Sequence, residues 1–189
     1  MADGMGTDGF GTTQPRTQAY VEKSKAELGD LARDGLTMAG NAFSPVLFLK
    51  AQAPGGDEGL LAGTDGDALR ASLRALGYQP QDWVALSTVV DGGGAIAPAL
   101  LRRAIGALDP QTVIACDEPS AQALRETYVE ELTEVRDLSE AMLDEGVVAV
   151  VLGMRFLNLG DFAAALADPK QKQVMWARLK QVPPQGEPY

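Results

Sequence analysis

Four short apolar runs are spread along the chain, and each has the length and the branched side chains of a buried strand. They span residues 46–51, 83–90, 112–116 and 147–152. The first run, VLFLKA, is apolar except for Lys50 and is followed by a loop that contains Pro54, Gly55 and Gly56. Proline fixes one backbone angle and glycine permits tight turns, so we expect the strand to end there.

Between these runs, apolar residues recur at helical spacing. The predicted helices lie at about 20–33, 65–76, 98–108, 119–132 and 169–181, with a short helix at 139–144 and a short β segment within 36–44. Strands that alternate with helices predict a parallel sheet that is covered on both faces. The sequence therefore predicts an α/β fold, specifically a three-layer α/β/α sandwich around a four-stranded, mainly parallel sheet.

The 189-residue length fits one domain with a sizeable core. We expect residues 17–182 to form this domain, between a flexible N-terminus at 1–16 and a flexible tail at 183–189. No apolar run approaches the ~20 residues that span a bilayer, and no signal-peptide pattern is present. The predicted location is the cytoplasm, with no membrane partner.

Composition narrows the possible chemistry. The chain has no histidine, which removes the commonest general base and the commonest metal ligand. Its single cysteine, Cys116, excludes an intramolecular disulfide and a four-cysteine cluster, and no cofactor is predicted. The net charge of −10 repels nucleic acid unless basic residues cluster locally. A protein or a small ligand is therefore the expected partner, and DNA is disfavoured.

Ligands of parallel sheets bind where loops leave the carboxyl ends of the strands, so a site is expected within 52–63. That loop has neither the Gly-Lys-Ser/Thr of a P-loop nor a GxGxxG pattern, which argues against a phosphate cradle. Ser87 and Thr88 lie near another strand end but lack a histidine and a GxSxG elbow. Cys116 ends an apolar strand, and a buried packing role is expected for it.

Several carboxylates follow the first two strands and form the other candidate chemistry. They could bind a divalent cation or act as acid and base, although such residues more often cap helices or face solvent. They are Asp57, Glu58, Asp65, Asp67 and Asp91.

Four sequence segments, in order, match those of a known family. They are LTMAGNAFSPVLFLKAQAPGGDE at 36–58, ALSTVV at 85–90, LDPQTVIACDEPSAQAL at 108–124 and DPKQKQVMWARLK at 168–180. Together they resemble the iron–sulfur-containing uracil-DNA glycosylases of bacteria and archaea over about residues 36–181. The resemblance implies the fold of the uracil-DNA glycosylase-like superfamily. It places the family site at Gln52, Ala53, Pro54, Gly55, Asp57, Thr88 and Asp161.

The chain departs from this family at the positions that the resemblance makes functional. Gln52 stands in place of the glutamate of Gly-Glu-Ala-Pro-Gly, and an amide cannot act as a base for water. Thr88 stands where an asparagine reads the uracil edge, and Asp161 stands where His-Pro-Ser enters the minor groove. The four cluster cysteines are absent, and the segment that carries the base-stacking aromatic is shortened after Glu58.

Three hypotheses follow for the function. The first is a catalytically degenerate uracil-DNA glycosylase-like protein that acts as a binding module. The second is a divergent glycosylase that excises uracil or another damaged base, with a basic path for DNA along Arg155, Lys170, Lys172, Arg178 and Lys180. The third is a different enzyme with a metal held by Asp57, Asp91 and Asp161. Whether the chain is an enzyme stays open among these three.

Overall fold

The computed structural model describes Glu22, residues 25–53 and residues 59–186. The strands are β1 (Met38–Gly40), β2 (Val46–Lys50), β3 (Val84–Ser87), β4 (Thr112–Ala115), β5 (Val148–Val151) and β6 (Met154–Asn158). The helices are α1 (25–33), α2 (Thr64–Leu76), α3 (Pro98–Leu108), α4 (Glu118–Thr127), α5 (Val129–Thr133), α6 (Leu138–Ala141), α7 (Phe162–Ala165) and α8 (Pro169–Leu179).

The strands form one mixed, six-stranded sheet in the order β1-β3-β2-β4-β6-β5. The four central strands, β3, β2, β4 and β6, are parallel to one another, whereas β1 and β5 pair antiparallel at the two edges. The α/β class predicted from the sequence is confirmed. The prediction of four strands was incomplete, because it missed β6 and did not separate β1 from its turn.

The error at β6 has a local cause. The predicted fourth strand, 147–152, is β5, and it returns as a hairpin instead of leading into a helix. Leu152 and Gly153 both have positive φ, at 50° and 84°, and this two-residue turn matches the twist of a hairpin. The sequence of β6, MRFLN, contains Arg155 and Asn158, which hide its strand character.

The sheet is covered on both faces because successive strand residues point to opposite sides. On β2, Leu47 and Leu49 belong to one apolar cluster, which includes residues of α3, α4 and α5. Val46 and Phe48 belong to a second cluster, which includes residues of α2 and α8. All four β2 side chains are fully buried, so β2 lies at the centre of the core.

Helix ends follow their sequence signals. Proline at N1 or N2 starts α3, α4 and α8, and aspartates cap α4, α6, α7 and α8. α2 ends at Gly77, whose φ of 100° permits the bonds from Gly77 and Tyr78 N–H to Arg74 and Leu73. The predicted helix at 119–132 is divided at Tyr128 into α4 and α5, and α7 was not predicted.

Some predictions concern residues that lie outside the described ones. These include the flexible terminus at 1–16 and the loop residues Pro54, Gly55 and Asp57. The described part of the predicted tail, 183–186, has no regular secondary structure. Within the described ranges, no helix has the length and apolar character required to cross a bilayer.

Candidate functional site

The chain changes direction across the sheet between β2 and β4. From β2 it crosses through α2 to β3 on one side, and from β4 it proceeds to β6 on the other side. Adjacent parallel strands whose connections diverge leave a crevice at their carboxyl ends, where ligands of such sheets bind. Gln52 follows β2 at this point and Asp117 follows β4. The candidate site is this carboxyl edge of the sheet.

Asp117 joins the two loops of the crevice. One carboxylate oxygen, Oδ2, accepts the N–H of Ala51 at 2.9 Å, and Oδ1 accepts the N–H of Ser120 at 2.9 Å and so caps α4. The capping role has a sequence signal that was not used, namely an aspartate directly before a helix with proline in its first turn. The bond to Ala51 has none, because it joins residues that are far apart in the chain.

Gln52 is held from two sides. The hydroxyl of Ser87 donates to the carbonyl oxygen of Gln52 at 2.7 Å, and Ser87 is fully buried. The side-chain Nε2 of Gln52 donates to the carbonyl oxygen of Gly59 at 3.4 Å, which lies at the far end of the same loop. Ala53 follows Gln52 and is exposed. The predicted position of Gln52 at the strand end is confirmed, and its amide bonds to its own loop.

Thr88 is buried behind the crevice. It is 3% exposed, and its hydroxyl lies 3.1 Å from the hydroxyl of Ser120, which is also buried. Its backbone N–H donates to the carbonyl of Lys50 at 3.0 Å, which extends the pairing of β3 with β2. The residue that the resemblance assigns to base reading therefore has its polar group paired inside the protein.

Asp161 follows β6, two strands from β2. Its Oδ1 accepts the N–H of Ala164 at 3.0 Å and caps the short helix α7. The next residue, Phe162, donates its N–H to the carbonyl of Cys116 at 3.1 Å, so this loop is held against the end of β4. The Asp161 carboxylate is exposed and adds negative charge to the edge.

One cation at this edge, Lys50, is already paired. Lys50 ends β2 and forms an ion pair with Asp65 in the first turn of α2, with both side chains mostly buried. Cys116 lies nearby at the end of β4, where burial raises the pKa of its thiol and the adjacent Asp117 raises it further. The thiol is neutral at physiological pH and packs in the core, in accord with the packing role predicted for it.

The proposed metal ligands are separated by the topology. Asp91 follows β3 and Asp161 follows β6, with β2 and β4 between these strands. Strands are spaced about 4.8 Å apart, so the two strand ends lie ~14 Å from each other, whereas hard-cation bonds are ~2–2.6 Å long. Asp57 is outside the described residues. Among the residues that are described, no cluster of three or more His, Cys, Asp or Glu side chains could hold a metal.

The proposed basic path does not form as one surface. Arg155 lies at the opposite end of the sheet, where it donates to the hydroxyls of Thr112 and Tyr78. Arg178 forms an ion pair with Glu145 at 3.0 Å and also donates to the carbonyl of Leu159. The other three residues of the set are exposed on or just beyond α8; they are Lys170, Lys172 and Lys180.

In comparisons with known proteins, no protein-family model matches the chain and no curated protein shows significant sequence similarity to it.

Proposed function

We propose that the chain is a uracil-DNA glycosylase-like protein that has lost base excision and acts as a binding module through the carboxyl edge of its sheet. One observation carries the proposal. The polar groups at the three altered positions, Gln52, Thr88 and Asp161, form hydrogen bonds to other groups of the chain.

Base excision needs a pocket that reads an extruded base and a group that stabilises developing negative charge. Thr88 has a hydroxyl in place of a reading amide, and that hydroxyl is bonded to Ser120. Asp161 would oppose an anionic leaving group, because it brings a carboxylate to the edge. Both changes act against the same reaction, which favours a loss of catalysis over a change of substrate.

The charges of the edge favour a partner without phosphate groups. Asp117 and Asp161 lie at this edge, while the nearby cations Lys50 and Arg125 are paired with Asp65 and Glu118. Nucleic-acid affinity comes largely from phosphate contacts with lysine and arginine, and this edge offers them little. We therefore propose a protein surface or a small non-anionic ligand as the partner.

A base-release assay tests the loss of catalysis. The purified chain is incubated with single-stranded and double-stranded DNA that contains uracil, and alkali-sensitive sites are counted. We expect no release above that of a buffer control. Release that Gln52→Ala abolishes would overturn the proposal and would establish the divergent glycosylase instead.

A binding assay tests the charge argument separately. Fluorescence anisotropy of labelled single-stranded DNA at low ionic strength should show no salt-sensitive binding, because the net charge is −10. The matched variant Lys170→Ala/Lys172→Ala removes exposed cations of α8 and should behave like the wild type. Binding that weakens with salt and with this double substitution would contradict the exclusion of DNA.

A further inference from the structure

One edge of the sheet, formed by β5, has unused backbone groups. Arg155 and Leu159 donate their N–H groups towards β4, to Gln111 and Ala115, each at 2.9 Å. The backbone N–H and C=O groups of successive residues point to alternate sides of a strand. Met154 and Phe156 of β6 therefore direct these groups towards β5, where they lie opposite Val151 and Ala149. Val148 and Val150 consequently direct their N–H and C=O groups away from the sheet.

Nothing in the described part of the chain covers this edge. No backbone hydrogen bond from another described segment reaches Val148 or Val150. Natural sheets protect such edges with charged residues, proline or bulges, because an open edge pairs with other strands. The segment VVAVVL at 147–152 contains no charge and no proline. The edge is short, but it lacks the charges and the proline that commonly prevent pairing.

Exposed apolar side chains border the same edge. Val150 is 62% exposed, and Leu152 at the hairpin turn is 66% exposed. Helix α6 packs beside β5 and exposes Leu138 and Met142, at 76% and 53%. Val150 shares a face with Val148, which packs against the cluster of α2 and α8, whereas α6 lies on the other face, where Ala149 and Val151 pack. Exposed apolar side chains therefore flank the open strand on both faces of the sheet.

We infer that this surface, the β5 edge with α6, binds a second copy of the chain. A strand edge is self-complementary about a twofold axis, because antiparallel pairing of β5 with β5 presents identical groups from both copies. With the axis at Ala149, Val148 of one copy lies opposite Val150 of the other, and each of these residues both donates and accepts a hydrogen bond. The two six-stranded sheets become one continuous sheet.

This register is the one that the backbone permits. Displacing the axis towards Leu152 would pair Val148 with a residue whose φ is 50°, and displacing it the other way would use Gly146, whose φ is 78°. The N–H of Gly146 is in addition already donated to Asn158 at 2.8 Å. Only a register centred on Ala149 keeps all the outward-facing groups within extended backbone.

Sedimentation or light scattering at increasing protein concentration tests the association. We expect the mass to rise from 19.9 kDa towards twice that value. Added salt should strengthen the dimer, because each copy carries −10 and screening reduces their repulsion. A constant mass of one copy at every concentration and salt level would overturn the proposal and would leave an extended segment of another protein as the occupant.

Val150→Pro removes one outward N–H and leaves the pairing of β5 with β6 intact, since proline is tolerated where the N–H of an edge strand faces solvent. The dimer loses two symmetry-related hydrogen bonds, so its dissociation constant should rise about thirtyfold or more. Val150→Thr retains the N–H and the branched side chain, and it is the matched control. An unchanged dimer in the proline variant, with its circular dichroism and melting temperature preserved, would refute the β5 pairing.

Crosslinking tests the register without relying on proline. Val148→Cys and Val150→Cys are prepared separately, mixed and oxidised; native Cys116 is buried and does not interfere. Opposed residues meet the distance limits for a disulfide, whereas each variant alone places its own cysteines two residues out of register. We expect crosslinked dimer in the mixture and little in either variant alone. No crosslink in the mixture would contradict the axis at Ala149.

Discussion

The two ends of the parallel strands use polar side chains in opposite ways. At the carboxyl end, carboxylates cap helices and join loops, as Asp117 does for Ala51 and Ser120. At the amino end, the cation of Arg155 is held by hydroxyl groups, which belong to Thr112 and Tyr78. The carboxyl end is acidic and assembled from loops, whereas the amino end is a polar network between strands and buried side chains.

This difference shows at which end of the strands side chains can be substituted without loss of the fold. The Tyr78 hydroxyl donates to the carbonyl of Val182 at 2.8 Å, so the amino-end network joins three parts of the chain. The polar groups of this network are fixed because each one forms a hydrogen bond with another where little water is available to replace it. At the carboxyl end, exposed groups such as Asp161 can be altered with little effect on the core. Exposed side chains at that end can therefore change while the fold is retained.

The largest expected effect is at Gly66, which lies in the first turn of α2 and supports the carboxyl-end loop. A Cβ at this position would lie 1.8 Å from the carbonyl oxygen of Leu61, which is a backbone atom that cannot move aside alone. Gly66→Ala should lower the free energy of unfolding by about 3 kcal/mol or more. Urea denaturation measures the change.

Gly106 of α3 is the control for this substitution. A Cβ there meets no atom within 4 Å, so Gly106→Ala should stabilise the chain by about 0.5–1 kcal/mol through lower backbone entropy in the unfolded state. Equal effects of the two substitutions would show that the contact with Leu61 does not constrain the loop.

The second effect concerns Asp117. Asp117→Ala removes the cap of α4 and leaves the N–H of Ala51 without its acceptor, which should cost about 2–3 kcal/mol. The matched variant Asp161→Ala removes an exposed cap from a four-residue helix and should cost about 1 kcal/mol or less. Urea denaturation of the two variants compares a carboxylate that joins loops with one that only caps. An equal loss in both would contradict the joining role of Asp117.

The strand end that precedes Gln52 could be predicted from the sequence because it depends on local rules. The apolar run of β2, its loop with Pro54 and the helical spacing of α2 together indicate a strand end at Gln52. The roles of the side chains did not follow. Thr88 and Ser120 are 32 residues apart in the chain, and their bond exists only once β3 and α4 are adjacent.

The amino-end network was wrongly interpreted for a related reason. The divergent-glycosylase hypothesis placed Arg155 on a basic path for DNA, whereas its guanidinium donates to Thr112 and Tyr78. The strand that carries it was itself missed, so no sequence argument could place it beside Thr112. The turn at Leu152 and Gly153 was the available signal, and only the glycine of that pair suggests a turn.

The third prediction tests the amino-end network directly. Thr112 is fully buried and accepts from Arg155 Nε at 3.1 Å and from Nη2 at 2.7 Å. Thr112→Val removes this acceptor and should cost about 1–2 kcal/mol, because a partly buried cation loses a partner. Thr112→Ser retains the hydroxyl and should recover most of the hydrogen-bond contribution. Calorimetric or urea unfolding distinguishes them, and equal losses would assign the effect to packing.

The smallest expected effect is on the free energy of unfolding at alkaline pH, and it involves Tyr78. Burial raises the pKa of its phenol above the ordinary value of 10.0, and the nearby Arg155 partly opposes this shift. The unfolded chain therefore loses this proton at lower pH than the folded chain does. The stability due to neutral Tyr78 is complete below pH 10.0 and is lost as the pH rises through the folded-state pKa.

Tyr78→Phe should lower stability at pH 7, since the bond to Val182 is lost, and should reduce the decline above pH 10.0. Unfolding free energies measured across this range test both parts. An alkaline decline as steep in the phenylalanine variant as in the wild type would show that the phenol of Tyr78 does not titrate as the amino-end network requires.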